Sequence, residues 1–192
     1  MKTNQSLLQV IAVAVLASCA SANKKVPVSL QAGPQPSQAG SSQTEELYKA
    51  VNAYRASKGV SELQRHAGLE RLAREHCEYL RKHRGTFSVY GKNVSHMGDA
   101  GRSLIAIRRF GMMNSCENVA WMEPFGPEAK NAKGLVYMWS QSPDHDWAMG
   151  SEGWTHTGIG TVVDDDGSVF ATQLFCTKDS SQSSLRDLLN GY

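Results

Sequence analysis

A histidine between two acids is the first candidate for chemistry in this sequence. His145 lies between Asp144 and Asp146, shortly after Pro143. A carboxylate beside an imidazole fixes the tautomer of the ring and raises its basicity, as general bases and metal ligands require. Because Pro143 stops the preceding helical pattern, we expect His145 on a loop. The alternative is a surface loop of solvated charges.

An acid and a second histidine lie upstream of this loop. Glu117 opens the sequence Glu-Asn-Val-Ala-Trp, an apolar stretch that we expect to be buried. A buried acid needs a partner or stays protonated, so a functional and a structural role are both open for it. His96 is a single histidine in a glycine-containing segment. We expect His96, Glu117 and His145 to converge on one cleft, where any metal binding or catalysis would take place.

Several common sites are missing from the sequence. His76 and His83 do not form a His-Glu-x-x-His metalloprotease motif, and there is no Gly-x-Ser-x-Gly and no glycine-rich phosphate loop. The net charge of +2 excludes a strong field for nucleic acid. The basic residues Arg102, Arg108 and Arg109 are predicted to be solvated helix ends.

The N-terminus predicts export. Lys2 precedes the apolar run Leu7 to Leu16, which is shorter than the roughly 20 residues that a membrane span needs. The following Leu-Ala-Ser-Cys resembles a bacterial lipoprotein signal, which implies a signal peptide over residues 1–18 and lipid on Cys19. An ordinary signal cleaved near Ala20 or Ala22 is the alternative. Ala20 after the cysteine favours the outer membrane as the destination, if the cell has one.

The rest of the chain divides into a tether, one domain and a tail. Residues 19–43 are rich in Ser, Ala, Gln, Gly and Pro, so we expect a flexible tether after the lipidated cysteine. Residues 44–178 form the domain, and 179–192 a short C-terminal tail that includes a possible helix. In an oxidising compartment two of the three domain cysteines can pair, and all pairings stay open; these cysteines are Cys77, Cys116 and Cys176.

Helices come first in the domain and a hairpin comes last. A capping box at Ser42 predicts the start of the first helix. Apolar spacing predicts further helices that end near Gly85, Gly111 and Ser140, with a loop over residues 86–102. Asp166-Gly167 between two β-branched runs predicts a terminal β-hairpin. This order indicates an α+β fold in which helices cover an antiparallel sheet.

Three stretches together give a family resemblance. They are Glu-Asn-Val-Ala from Glu117, Trp139 with the later Ser-Pro-x-His that ends at His145, and Gly158-Ile159-Gly160. They resemble the CAP superfamily, the group of cysteine-rich secretory proteins, antigen 5 and pathogenesis-related 1 proteins, also called the SCP domain. The Leu-Tyr-x-x-Val-Asn-x-Tyr-Arg sequence from Leu47 is similar to the first helix of that family. The resemblance covers roughly residues 44–176.

The resemblance implies an α-β-α sandwich with a central cleft of histidines and acids that often holds zinc. His145 and His96 match the two histidines as metal ligands, and Glu117 matches the acid of the Glu-Asn motif. The second acid of the family is expected at Ser142, where this chain has no carboxylate. Two histidines are half of a tetrahedral zinc set, so zinc would bind loosely.

These observations predict a lipid-anchored, exported binding module of the cell envelope, with a metal-capable cleft and no catalysis. Its ligand would be a lipid or a cell-wall component. Two alternatives stay open. One is a zinc-assisted, peptidase-like hydrolase that uses Glu117 as general base with His96 and His145 as ligands. The other is a structural envelope protein with a vestigial cleft.

Overall fold

The structure, a computed structural model, describes residues 18–19, 38–84, 94–122 and 131–179 of the chain. The helices in this part are α1 Gln38–Ser57, α2 Ala67–Lys82, α3 Asp99–Phe110, α4 Ala132–Ser140 and α5 Pro143–Gly150, with a 3-10 turn at Val94–His96. The strands are β1 Ser18–Cys19, β2 Gln64–Arg65, β3 Met112–Met122, β4 His156–Val163 and β5 Val169–Lys178. The predicted C-terminal helix, and the signal apart from its last residue, lie outside the described residues.

One sheet runs through the domain in the order β1-β3-β5-β4-β2. Its body is antiparallel, because β5 pairs with β3 on one side and with β4 on the other. The short β2 adds to β4 in parallel, and Ser18–Cys19 pairs with β3 opposite Glu117 and Cys116. The predicted hairpin is confirmed: β4 and β5 are joined at Gly167, whose φ of 82° is the left-handed conformation that glycine favours.

Helices cover both faces of this sheet. On one face, α2 and α3 pack through two apolar clusters that include Leu72, Leu80 and Ala106. On the other face α1, α4 and α5 bury a larger cluster around Leu47, Trp139 and other side chains. Alternate residues of β5 enter these clusters, as strand geometry requires. The α+β fold with an α-β-α sandwich is therefore confirmed.

Two glycines of β4 let α2 approach the sheet closely. A Cβ added at Gly158 would lie 2.2 Å from the backbone carbon of Leu69, and one at Gly160 would lie 2.3 Å from the backbone nitrogen of Arg74. Any larger residue would collide with the main chain of α2. The Gly-Ile-Gly stretch is thus a packing motif, which positions the helix that carries His76.

Several expected boundaries are wrong. The first helix begins at Gln38, so Ser42 lies inside α1 and does not cap it. The predicted loop over residues 86–102 overlaps α3, which begins at Asp99. The apolar stretch around Glu117 is a strand, β3, that sequence reasoning did not assign. Pro143 does not merely end a helix; it stands in the first turn of α5, where its missing N–H costs nothing.

The domain cysteines do not pair with one another. No disulfide joins any two of Cys77, Cys116 and Cys176, and all three side chains are buried. The pairing that an oxidising compartment would allow is therefore not formed among these three cysteines. Within the described residues, no helix has the length and apolar character needed to cross a membrane.

Candidate functional site

The candidate site centres on Glu117, which β3 holds with only 2% of its surface exposed. Its carboxylate accepts two hydrogen bonds from the guanidinium of Arg102, from Nε to Oε2 at 2.6 Å and from Nη2 to Oε1 at 2.8 Å. His96 Nδ1 lies 3.0 Å from the same Oε1. Both oxygens of the acid are therefore engaged.

Opposing effects set the pKa of Glu117. Burial alone would raise the pKa of this carboxyl. The hydrogen bond from His96 and the positive charge of Arg102 outweigh burial and lower the pKa to about 2. Glu117 is therefore ionised at neutral pH and is a weak base.

His96 stands at the end of the 3-10 turn with its ring oriented by Glu117. An ionised carboxylate only accepts hydrogen bonds, so Nδ1 of His96 carries a proton. This Nε2 atom is buried and has no hydrogen-bond partner among the described residues. A buried polar atom without a partner calls for an explanation, and a ligand that bonds to it is one.

His145 lies on the first turn of α5 and not on the expected loop. Its side chain is 4% exposed, so the alternative of a solvated surface loop is wrong. Its Nε2 is also buried and lacks a partner within the described part of the chain. Burial, followed by the nearby charge of His96, lowers the pKa of His145 to about 4. The charge of His96 thus reaches His145.

The acids beside His145 do not orient its ring as the sequence suggested. Asp146 instead accepts a hydrogen bond from the Tyr54 hydroxyl and lies 3.5 Å from Lys58 Nζ. The backbone of His145 is held by Asn118, whose amide Nδ2 donates to the His145 carbonyl at 3.2 Å.

Helix α1 fixes the position of α5. The Tyr54 contact holds the first turn of α5, and the fully buried Arg55 holds the last. Arg55 Nη1 donates to the carbonyls of Met149 at 2.6 Å and Ser151 at 2.9 Å. The placement of His145 therefore depends on Tyr54 and Arg55, which are neighbours in α1.

Sequence reasoning missed two residues of the cleft. His76 is 3% exposed, contacts the Ser95 carbonyl through Nε2 and lies 3.8 Å from Glu117 Oε1. Its place on the apolar face of α2 was the available signal. Arg102 was expected to be solvated at a helix end. This is wrong, because its side chain is only 11% exposed and forms an ion pair with Glu117. Nothing local in the sequence points to that pairing.

The donor set is small for a metal. Ser142 lies at the N-cap of α5 and supplies no carboxylate where the second acid was expected. No group of three or more His, Cys, Asp or Glu side chains suited to a metal ion occurs among the described residues. The described residues therefore do not fit a closed four-ligand zinc site.

Apolar side chains flank the two histidines along the chain. Met97 follows His96 and is 49% exposed, and Trp147 on α5 is 54% exposed. Trp147 leans edge-on against the buried Trp154, with ring centroids 6.1 Å apart. The other tryptophans serve packing: Trp139 is fully buried, and Trp121 stacks on Phe170.

Comparison with known proteins is consistent with this architecture. A model of the cysteine-rich secretory protein family, CAP, matches residues 48–175. Among curated proteins, none matches the sequence.

Three solved structures share the fold at low sequence identity. An outer surface protein of Borrelia burgdorferi aligns with a TM-score of 0.52 and 18% identity, over 72% of this chain and 94% of that protein. A cysteine-rich secretory protein of Staphylococcus aureus aligns with a TM-score of 0.54 and 19% identity, over 79% of this chain and 43% of that protein. An extracellular protein with an SCP domain from Bacillus anthracis aligns with a TM-score of 0.52 and 18% identity, over 77% of this chain and 45% of that protein. The chain spans less than half of the latter two proteins.

Proposed function

Because the chain belongs to the CAP family of cysteine-rich secretory proteins, we propose that it is an exported binding module of the cell envelope and not an enzyme. The cleft of His96, Glu117 and His145 would receive the ligand.

The observation that carries this proposal is the engagement of Glu117. A general base needs a carboxylate oxygen free to take a proton and a pKa near the working pH. Both oxygens of Glu117 are hydrogen-bonded, and its pKa of about 2 lies far below neutral. Glu117 is therefore suited to orient His96 and poorly suited to activate water, which weighs against the hydrolase.

The chemistry of the cleft indicates an amphipathic ligand. The Nε2 atoms of His96 and His145 are buried without partners, so they favour a ligand with a hydroxyl group, which can donate or accept a hydrogen bond. The exposed Met97 and Trp147, which follow His96 and His145 closely in the sequence, offer adaptable apolar surface. A lipid or a lipid-bearing envelope component combines both properties. Zinc would bind the same two nitrogens weakly and exchange.

The location of the protein forms part of the proposal. Its N-terminal sequence has the order of a lipoprotein export signal that ends at Cys19. Two structurally similar proteins are described as an outer surface protein and an extracellular protein. We therefore place the domain outside the cytoplasm, anchored to a membrane by lipid on Cys19, with the outer membrane favoured where one exists.

Lipid binding can be measured directly on the chain from residue 20. We expect mixed micelles of a long-chain fatty alcohol to quench tryptophan fluorescence saturably. The double variant Met97→Ser/Trp147→Ala, followed by calorimetry, should weaken binding by about tenfold, as expected for loss of a central apolar contact. Tyr137→Ser is the matched control, because Tyr137 is 67% exposed on α4 and belongs to neither cleft segment.

Two results would contradict the proposed function. One is equal affinity in the wild type and the Met97/Trp147 double variant. The other is zinc-dependent peptide or ester hydrolysis by the wild type that disappears in Glu117→Gln while the fold survives, since that result would make Glu117 a general base.

A further inference from the structure

His76 is a buried histidine of α2 to which the proposed function gives no role. We infer that His76 is a positioning residue, which holds the turn that carries His96 in place and so fixes the direction of the His96 Nε2 atom. The inference rests on the proposed function, because His96 is one of the residues that would contact the ligand. His76 itself would act through that turn and not on the ligand.

Three consecutive residues of this turn are each held by a different element. The turn residues are Ser95, His96 and Met97. Nε2 of His76, on α2, donates a hydrogen bond to the Ser95 carbonyl. Glu117, on β3, accepts from His96 Nδ1 at 3.0 Å. Arg102, on α3, donates from Nη1 to the Met97 carbonyl at 2.9 Å. The turn is therefore fixed at each of its three residues, and His76 provides the contact from α2.

Hydrogen-bond chemistry places the proton on Nε2 of His76. A carbonyl oxygen only accepts, so the nitrogen that faces Ser95 must be the donor. Burial lowers the pKa of His76 to about 4, so the ring is neutral at neutral pH and Nε2–H is its one donor. The same Nε2 lies 3.8 Å from Glu117 Oε1, which is too far for a hydrogen bond. His76 therefore bonds to the turn and leaves that oxygen to His96.

Helix α2 gives the His76 contact a rigid base. The side chain is 3% exposed, and its ring stacks on Tyr79 with centroids 5.9 Å apart. The helix itself packs main chain to main chain on Gly158 and Gly160 of β4. A site is held precisely when the residues that support it are themselves locked by packing and hydrogen bonds. Loss of the His76 donor should therefore release the turn while the helix stays where it is.

Nuclear magnetic resonance of histidine measures the position of His96 in the full-length protein purified in detergent. In protein labelled with 15N-histidine, the Nδ1–H proton that is bonded to Glu117 should give its own slowly exchanging resonance, which His96→Gln assigns. His76→Phe keeps a buried ring but has no donor, so we expect this resonance to be lost to exchange with water. His76→Gln carries an amide N–H that can reach the Ser95 carbonyl and should restore it.

Ligand affinity is the second measurement, with a long-chain fatty alcohol in mixed micelles as the probe. His76→Phe should bind it about tenfold more weakly than the wild type, as expected for loss of one hydrogen bond from a displaced His96, and His76→Gln should bind it as the wild type does. Cys77→Ala is the matched control. Cys77 is the next residue of α2 and is also buried, but its thiol contacts the Gly160 carbonyl of the sheet, at 3.2 Å. This variant should keep both the resonance and the affinity.

The outcomes separate positioning from packing. A His96 resonance that persists in His76→Phe overturns the inference, and so does its equal loss in Cys77→Ala or its absence from the wild type. If circular dichroism shows that His76→Phe does not fold, His76→Leu, which is smaller and also lacks a donor, takes its place. Failure of both to fold would overturn the inference as well, because the contact would then serve the fold.

Failure of the proposed function gives a different result. A wild type that binds no fatty alcohol contradicts the proposed function alone, since the resonance still tests whether His76 holds the turn of His96.

Discussion

His76 and His145 are the two histidines whose pKa values burial changes most. Burial lowers the pKa of each to about 4, from an ordinary value of 6.5. Both are therefore neutral in the folded protein and take up protons more readily when it unfolds. Their contribution to stability is fully present above about pH 6.5 and is lost as the pH falls toward 4.

Acid should therefore weaken the fold before Glu117 is protonated. From about pH 7 to about 5 we expect the free energy of unfolding to fall by about 2 kcal/mol for each of these histidines. Glu117 acts in a lower window, since its stabilising charge is lost between its ordinary pKa of 4.5 and its folded pKa of about 2. Urea unfolding over this pH range, by circular dichroism, measures the change.

A matched pair of variants assigns this pH dependence. His76→Gln removes a buried titrating group and should flatten the profile, whereas His83→Gln changes an exposed histidine of the neighbouring segment and should leave it as it is. Equal slopes in the two variants would show that His76 does not titrate as its burial implies.

The sequence predicted the main residues of the candidate site better than the side chains that contact them. His96 and Glu117 do meet through a hydrogen bond, whereas the convergence of His145 with both of them stays a prediction. Arg102 could not be found in this way, since its partner lies 15 positions away and no periodicity links them. His76 was visible only as a polar residue on an apolar helix face.

The contact between β4 and α2 decides how the helices and strands fit together. Gly160→Ala should destabilise the domain by roughly 2–3 kcal/mol, because the new Cβ meets the main chain of Arg74 and neither strand nor helix can yield locally. Thermal unfolding of the variant provides the measurement. Gly101→Ala is the control: a Cβ there meets nothing within 4 Å, and alanine favours the helix, so stability should stay or rise slightly. Equal losses of stability in Gly160→Ala and Gly101→Ala would contradict the packing explanation.

Elements with a local signal were predictable, and those defined by tertiary contacts were not. Asp166-Gly167 requires a tight turn, and the hairpin follows from it. Strand β3 has no alternation around Glu117, because residues 115–120 are buried regardless of which face they occupy. Helix α5 spans 8 residues, too few for a periodic pattern, and its opening proline suggested an end where it marks a start.

One prediction concerns the whole protein, which we expect to be attached to a membrane. Wild-type protein should incorporate labelled palmitate and sediment with membranes, because acyl chains on one residue can hold a soluble domain there. Cys19→Ser should lose the label and appear in the soluble fraction. Ser18→Ala keeps a small residue before the cysteine and should behave as the wild type. Unchanged sedimentation of Cys19→Ser would exclude this anchor.

The buried thiols have a consequence if the domain is exported as we propose. Burial raises the pKa of Cys77 and of Cys176 to about 12, so neither forms the thiolate that peroxides attack. The thioether of Met97, next to His96, is 49% exposed. Oxidants from a host or a competitor would therefore reach the sulfur beside the cleft before either thiol, and methionine sulfoxide would make that surface polar while the core stayed intact.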